Sequence, residues 1–172
     1  MRADSASSSE PDESGHRSIE LAALRLLARR EHSLQEVRGK LLRRGYAQAA
    51  VDVVVSQLAA RQLISDARFA GSLVRHGSAR GHGPVRIRAE LHRQGIAEEL
   101  IQAEFAAADC DWTQLATRVR VRKFGTPRPT SSAERAKQSR FLQYRGFTAD
   151  QIRAALGADA DSDGAWLDGL PE

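Results

Sequence analysis

Apolar residues recur along this chain with helical spacing rather than the alternation of a strand. Leu21, Leu24 and Leu27 mark one face, Leu34, Val37 and Leu41 a second, and Val51, Val54, Val55 and Leu58 a third. Start signals divide these stripes into separate helices. Ser33 with Glu36, Ser131 with Glu134 and Thr148 with Gln151 have capping-box spacing, Asp111 with Gln114 is a near relative, and Pro84 suits a first helical turn. Stops are expected at Gly45, Gly95, Gly125 and Gly146, where glycine can adopt the left-handed conformation that satisfies the last helical carbonyls. Residues 1–17, rich in Ser, Asp and Glu and without apolar period, predict a disordered leader, with the ordered chain beginning near Ser18.

Sliding the sequence on itself by about 50 residues aligns LLRRGYAQAAV, LHRQGIAEELI and LQYRGFTADQI. In each, a Leu (Leu41, Leu91, Leu142) precedes a Gly (Gly45, Gly95, Gly146) by one helical turn, and a bulky apolar residue (Tyr46, Ile96, Phe147) follows it. Val51, Ile101 and Ile152 then open the next apolar stripe. The pattern predicts a helix ending on Gly, a large side chain plugging the joint, and a second helix. Another amphipathic helix lies ahead of each pair, carrying Leu21, Leu24 and Leu27, then Phe69 and Leu73, then Trp112, Leu115 and Val119. The expected fold is all-α, an elongated curved solenoid of three tandem three-helix repeats at 18–64, 65–108 and 109–157. Residues 158–172 form an acidic tail, in which Trp166, Leu167 and Leu170 could dock on the body, or the acids could compete with DNA for a basic face.

Composition supports thin helical layers. Leu, Ile, Val and Phe together fill 37 of 172 positions while Ala alone fills 28, and aromatics are only 5%. No apolar run is long enough to span a bilayer and the N-terminus lacks a signal-peptide core, so a soluble, cytoplasmic protein is expected. The lone Cys110 can form neither an internal disulfide nor a cysteine-based zinc site. Charge changes the picture more. Residues 21–156 hold 24 basic and 12 acidic side chains, a net +12 between acidic ends, and this favours polyanionic partners. Arginine outnumbers lysine 23 to 3, which suits bidentate phosphate contacts or reflects compositional bias.

No catalytic constellation is visible, so no enzymatic activity, metal or cofactor is expected. His16, His32, His76, His82 and His92 have no metal-ligand spacing, and His76, in line with Phe69 and Leu73, is expected at the core edge. The loop GSARGHG (77–83) lacks the Lys and Ser or Thr of a phosphate-binding loop and reads as a flexible linker, or as amides and Arg80 reaching a phosphate or carboxylate. Asp111 is placed to cap a helix, and Cys110 has no basic activator. The functional signal lies in the arginines. Arg43 and Arg93 occupy the same slot, two before Gly, where the third repeat has Tyr144. Arg68 with Arg75, Arg86 with Arg93, and Arg118 with Arg122 form helical stripes that either align into one basic ribbon or are simply solvated faces.

SDARFA (65–70), GPVRIRAEL (83–91) and RFLQYRGF (140–147), set within the L-R-R-G-type repeat, resemble the RecX family of bacterial regulatory proteins over residues 19–156. The resemblance implies a non-enzymatic regulator that binds RecA filaments on single-stranded DNA, lodges in the filament groove, and suppresses ATPase, strand exchange and co-protease functions in recombination, DNA repair and the SOS response. Within the motifs Phe69, Ile87, Leu91, Phe141, Leu142 and Phe147 read as structural. The charge pattern supplies the contact candidates: Arg43, Arg68, Arg75, Arg80, Arg86, Arg88, Arg93, Arg118, Arg122, Arg140 and Arg145, of which Arg140 and Arg145 could instead be tied up inside the third repeat. The rival reading is a non-specific binder that competes for single- or double-stranded DNA. Specific duplex readout is disfavoured, since the chain has no Asn.

Overall fold

The computed structural model describes residues 10–157. All regular structure among them is helical: α1 (Glu10–Leu27), α2 (Leu34–Leu42), α3 (Gln48–Ala60), α4 (Asp66–Ala79), α5 (Pro84–Arg93), α6 (Glu98–Ala107), α7 (Trp112–Phe124), α8 (Ser132–Tyr144) and α9 (Ala149–Leu156). These are three tandem sets of three. The expected leader is helical in its last part, since α1 opens at Glu10 rather than Ser18; Pro11 fits a first turn, where no backbone N–H has an intrahelical partner. Residues 1–9 and the acidic tail with Trp166, Leu167 and Leu170 lie outside the described residues.

The described residues fall into two compact units, 10–72 with 94–96, and 73–93 with 97–157. The division falls inside α4, within the second repeat and not between repeats.

In the first unit α1, α2 and α3 enclose Ile19, Ala22, Ala23, Val37, Leu41, Val51, Val54, Val55, Leu58 and Ile64. The α2 and α3 stripes are those the sequence predicts. The α1 stripe is rotated: Leu21 is 49% exposed and Leu24 and Leu27 only flank the core, while Ile19, Ala22, Ala23 and Leu26 are buried. That set has the full i, i+3, i+4, i+7 spacing, and its two alanines let neighbouring helices approach closely. Ser33 caps α2 by accepting the Glu36 N–H at 3.0 Å. Glu36 does not reach back to complete the box, because Arg30 and Lys40 take its carboxylate. From the first turn of α4, Asp66 Oδ1 instead accepts the Leu34 N–H at 2.9 Å.

In the second unit Leu115, Ala116, Val119, Leu142, Phe147, Ile152, Ala155 and Leu156 form the core of the third repeat, flanked by Trp112 and Phe141. The α8–α9 joint is a Schellman turn: the Phe147 N–H reaches Leu142 O at 3.2 Å and the Gly146 N–H reaches Gln143 O at 2.8 Å. Phe147 packs in the same cluster as Leu142, the plug that the repeat pattern predicts. Thr148 and Gln151 form a reciprocal capping box on α9. Ser131 and Asp111 cap α8 and α7 from one side only.

Gly146 has φ +86°, and a Cβ there would meet Arg86 Cβ at 2.3 Å. The close approach exists because α5 begins on this turn: Gly83 N–H donates to Arg145 O at 2.8 Å and Val85 N–H to Gly146 O at 3.0 Å. A matching contact occurs in the first unit, where a Cβ on Gly95 (φ +72°) would collide with Gln35 and Ser33 Oγ donates to Gln94 Oε1 at 3.5 Å. The start of a repeat's second helix thus seats on the glycine turn of the following repeat.

Candidate functional site

In the first unit five basic side chains are held by acids, while Arg25, Arg29, Arg43 and Arg44 are exposed. Arg30 and Lys40 converge on Glu36, Arg38 pairs with Asp52 at 2.6 Å, and Arg61 pairs with Glu20. Burial pushes the Glu36 carboxyl up, but the hydrogen bonds from Arg30 and Lys40 outweigh it and hold the group below its ordinary value. His32 is buried beside this network, and burial lowers its pKa. Its Nδ1–H donates to Arg30 O at 2.9 Å, which leaves Nε2 to accept from Lys40 Nζ at 3.0 Å. Of the two contact candidates in this unit, Arg68 is committed inward, with Nε on Glu31 at 2.9 Å and Nη2 on Leu63 O at 3.3 Å. Arg43 is exposed at the end of α2.

The second unit treats its arginines differently. Arg88 lies over the Phe105 ring, 4.2 Å from its centroid, and reaches Glu98 at 3.4 Å; Phe105 in turn stacks on Trp112 at 5.4 Å. Arg93 pairs with Glu90, and Arg118 donates to Gln114 at 2.9 Å. Arg145 sits over Phe141 at 5.3 Å and donates to Arg80 O at 3.3 Å, so it is tied up inside the unit while Arg140 is exposed. Among the described residues the side chains of Arg75, Arg80, Arg122 and Arg140 make no hydrogen bond, ion pair or ring contact.

Arg80, Arg86 and Arg145 gather around half-buried His82. Burial first, then the positive charge of Arg86, Arg145 and Arg80, lowers the His82 pKa. Arg118 and Arg122, one turn apart on α7, line an open groove of about 580 Å³ with Ser78, Gly81 and Cys110. Burial pushes the Cys110 thiol up, which works against a nucleophilic role. The GSARGHG loop is hydrogen-bonded rather than loose. His82 N–H reaches Gly77 O, Gly81 N–H reaches Ser78 O, and Gly83 N–H reaches Arg145 O, so these amides do not face an anion. His76 is exposed, not at the core edge: α4 turns Phe69, Ala70 and Val74 inward, and the next position on that stripe is Gly77.

The residue that sequence reasoning missed is Arg120, 3% exposed on α7. It donates to Pro127 O at 2.9 Å and Thr126 O at 3.1 Å, pinning the GTPRPT segment to the repeat. Its signal was positional. Arg120 stands four residues after Ala116 on the buried stripe, ahead of a proline-bearing loop with carbonyls to satisfy. Among the described residues no group of three His, Cys, Asp or Glu side chains is placed to hold a metal, and no helix is long and apolar enough to cross a membrane.

Family profiles described as the first, second and third three-helix domains of RecX match residues 21–58, 65–103 and 109–156 in that order. A protein named regulatory protein RecX from Halorhodospira halophila is 48% identical over 142 residues, covering 83% of this chain and 88% of the relative. Proteins of the same name from Xanthomonas axonopodis pv. citri (42% over 139 residues, 81% and 86%) and Vibrio parahaemolyticus (40% over 135 residues, 78% and 87%) are also similar. The crystal structure of RecX from Lactobacillus salivarius shares the fold at a TM-score of 0.70 and 19% identity, covering 84% of this chain and 96% of that one. A second crystal structure, of regulatory protein RecX, has a TM-score of 0.75 at 19% identity over 92% and 83%.

Proposed function

The chain belongs to the RecX family of regulatory proteins, and from that premise we propose that it binds RecA filaments on single-stranded DNA and inhibits RecA ATPase, strand exchange and co-protease activity. It acts in the cytoplasm, in recombination, DNA repair and the SOS response, without catalysis, cofactor or metal. The observation that carries the reading is the ordered series of three family domains together with 48% identity to a protein named as a regulator. The geometry supports it through the net +12 of residues 21–156 and the arginines of the second unit that have no partner among the described residues, which suit acidic protein surface, DNA phosphates, or both.

Of the candidates, Arg75, Arg80, Arg86, Arg122 and Arg140 are the proposed contacts, with Arg43, Arg93 and Arg118 at the margin. Arg68, Arg88 and Arg145 act structurally, through Glu31, Phe105 and Phe141. The test is RecA ATPase on single-stranded DNA, titrated with this protein well below one copy per RecA, beside an Arg86→Glu, Arg93→Glu double variant. Substoichiometric inhibition that the variant loses is the expected result. Inhibition only at amounts that coat the DNA would favour the rival reading of simple competition for the strand, which the unpaired arginines also serve.

A further inference from the structure

Of the acid-free stretches of the second unit, two meet at one turn. Residues 73–89 carry Arg75, Arg80, Arg86 and Arg88, and residues 135–149 carry Arg135, Lys137, Arg140 and Arg145. The backbone joins them, since Gly83 N–H bonds Arg145 O and Val85 N–H bonds Gly146 O. At this junction stands Tyr144, 78% exposed, with the Arg86 guanidinium 5.8 Å from its ring centroid. Arg140 lies one helical turn before it on the same face of α8. The chain's other tyrosine shows the usual arrangement: Tyr46 packs its ring on the first core and shares a hydrogen bond with Ser18 at 3.3 Å. Tyr144 does neither job. It fills the slot that holds exposed Arg43 and Arg93 in the other repeats, so an aromatic ring replaces a charge on a surface that is otherwise basic.

We propose that this face binds a single strand of nucleic acid directly, an unpaired base stacking on Tyr144 while Arg80, Arg86 and Arg140 hold the flanking phosphodiesters. Every base has a π-face, so such a platform is indifferent to sequence; in a duplex those faces are covered, so the strand must be single. Arginines alone would serve an acidic peptide equally well, and it is the exposed ring among them that favours the strand. The inference rests on the filament reading for its setting only, because its test uses bare DNA.

The experiment is fluorescence anisotropy of the full chain with labelled 20-mers of oligo-dT, of an abasic backbone and of duplex, across a salt series. Tyr144→Ala should weaken oligo-dT binding about tenfold while leaving the salt slope unchanged; Tyr144→Phe should bind as the wild type does. Binding to the abasic strand and to duplex should not respond to Tyr144→Ala. Arg86→Gln with Arg140→Gln should flatten the slope of log affinity against log salt by about 0.7 per side chain. Tyr144→Ala binding oligo-dT as tightly as the wild type, or losing the abasic strand in equal measure, would overturn the proposal. RecA ATPase run in parallel separates the two readings. A Tyr144→Ala chain that binds oligo-dT normally yet no longer inhibits RecA makes the face a protein contact and overturns the strand site alone. A wild type that stacks oligo-dT on Tyr144 yet inhibits only when it coats the DNA upholds the strand site and overturns the filament reading.

Discussion

The two units build the same three-helix repeat and distribute their arginines differently. The first closes Arg30, Arg38, Arg61 and Arg68 on Glu36, Asp52, Glu20 and Glu31 and leaves Arg25, Arg29, Arg43 and Arg44 exposed. The second places Arg86, Arg88 and Arg145 over aromatic rings, Arg88 also reaching Glu98, pairs Arg93 with Glu90 and Arg153 with Asp150, points Arg120 at carbonyls, and leaves Arg75, Arg80, Arg122 and Arg140 without partners among the described residues. A guanidinium over a ring keeps its full charge, whereas one beside a carboxylate presents little net field. Net charge along the sequence therefore does not by itself locate the electropositive surface, which also depends on which arginines find an acid in the fold.

The comparison can be broken first at its glycine turns. Gly45 in the first unit and Gly146 in the second both have positive φ, but a Cβ on Gly45 would meet nothing within 4 Å while one on Gly146 would run into Arg86. Gly146→Ala should cost more than about 3 kcal/mol, from left-handed strain plus overpacking, and Gly45→Ala only about 1–2 kcal/mol. Urea denaturation of both variants measures the difference, and equal losses would deny the seating of α5 on the α8–α9 turn. Next comes Arg120→Met, which strips the Thr126 and Pro127 carbonyls of their donor and should cost about 2 kcal/mol. The same denaturation experiment reads it.

Binding sharpens the contrast. Changing Arg75, Arg80, Arg122 and Arg140 together to Gln should lower affinity for single-stranded DNA more than tenfold at low salt and flatten the salt slope by about 3, at little cost in stability. Changing Arg30, Arg38, Arg61 and Arg68 to Gln should do the reverse, with binding nearly intact and about 0–1 kcal/mol of stability lost per exposed pair. Comparable losses of affinity from the two sets would erase the distinction. The smallest effect is in pH. Folding lowers the His32 pKa from 6.5, so the unfolded chain takes up this proton first. Its contribution is complete above 6.5 and is lost as pH falls through that value toward the folded one. Folding lowers the Glu36 pKa from 4.5 as well, and its contribution is lost at lower pH still. Stability curves of His32→Gln should be flatter than the wild type's just below pH 6.5, with the steeper acid limb retained.

Much of the fold was legible, and the failures have physical reasons. The α3 stripe of Val51, Val54, Val55 and Leu58 was read correctly because no other face of that helix is so apolar. In α1 the spacing of Leu21, Leu24 and Leu27 drew attention from the set that packs, Ile19, Ala22, Ala23 and Leu26. Capping spacing located the starts of α2, α7, α8 and α9, but Thr148 with Gln151 alone among the three predicted boxes closes reciprocally, since Glu36 and Glu134 accept donors elsewhere. The candidate site was legible as a set of arginines and not as a surface. Arg68 looks identical to Arg75 in the sequence, and only the approach of Glu31, 37 residues away, sets it apart. Arg120 was overlooked because buried arginine is rare and its acceptors are carbonyls, which every sequence carries.

The seating of each repeat's second helix on the following glycine turn sets an order in time. On a ribosome the chain appears from its N-terminus. The first turn of α2 cannot gain Asp66 until α4 begins to emerge, nor Gln94 until the α5–α6 turn follows. The start of α5 waits in the same way for Arg145 and Gly146, close to the end of the last repeat. A nascent chain cut anywhere before that point carries an unfinished helix start, so the native start of α5 forms only after the α8–α9 turn has left the exit tunnel.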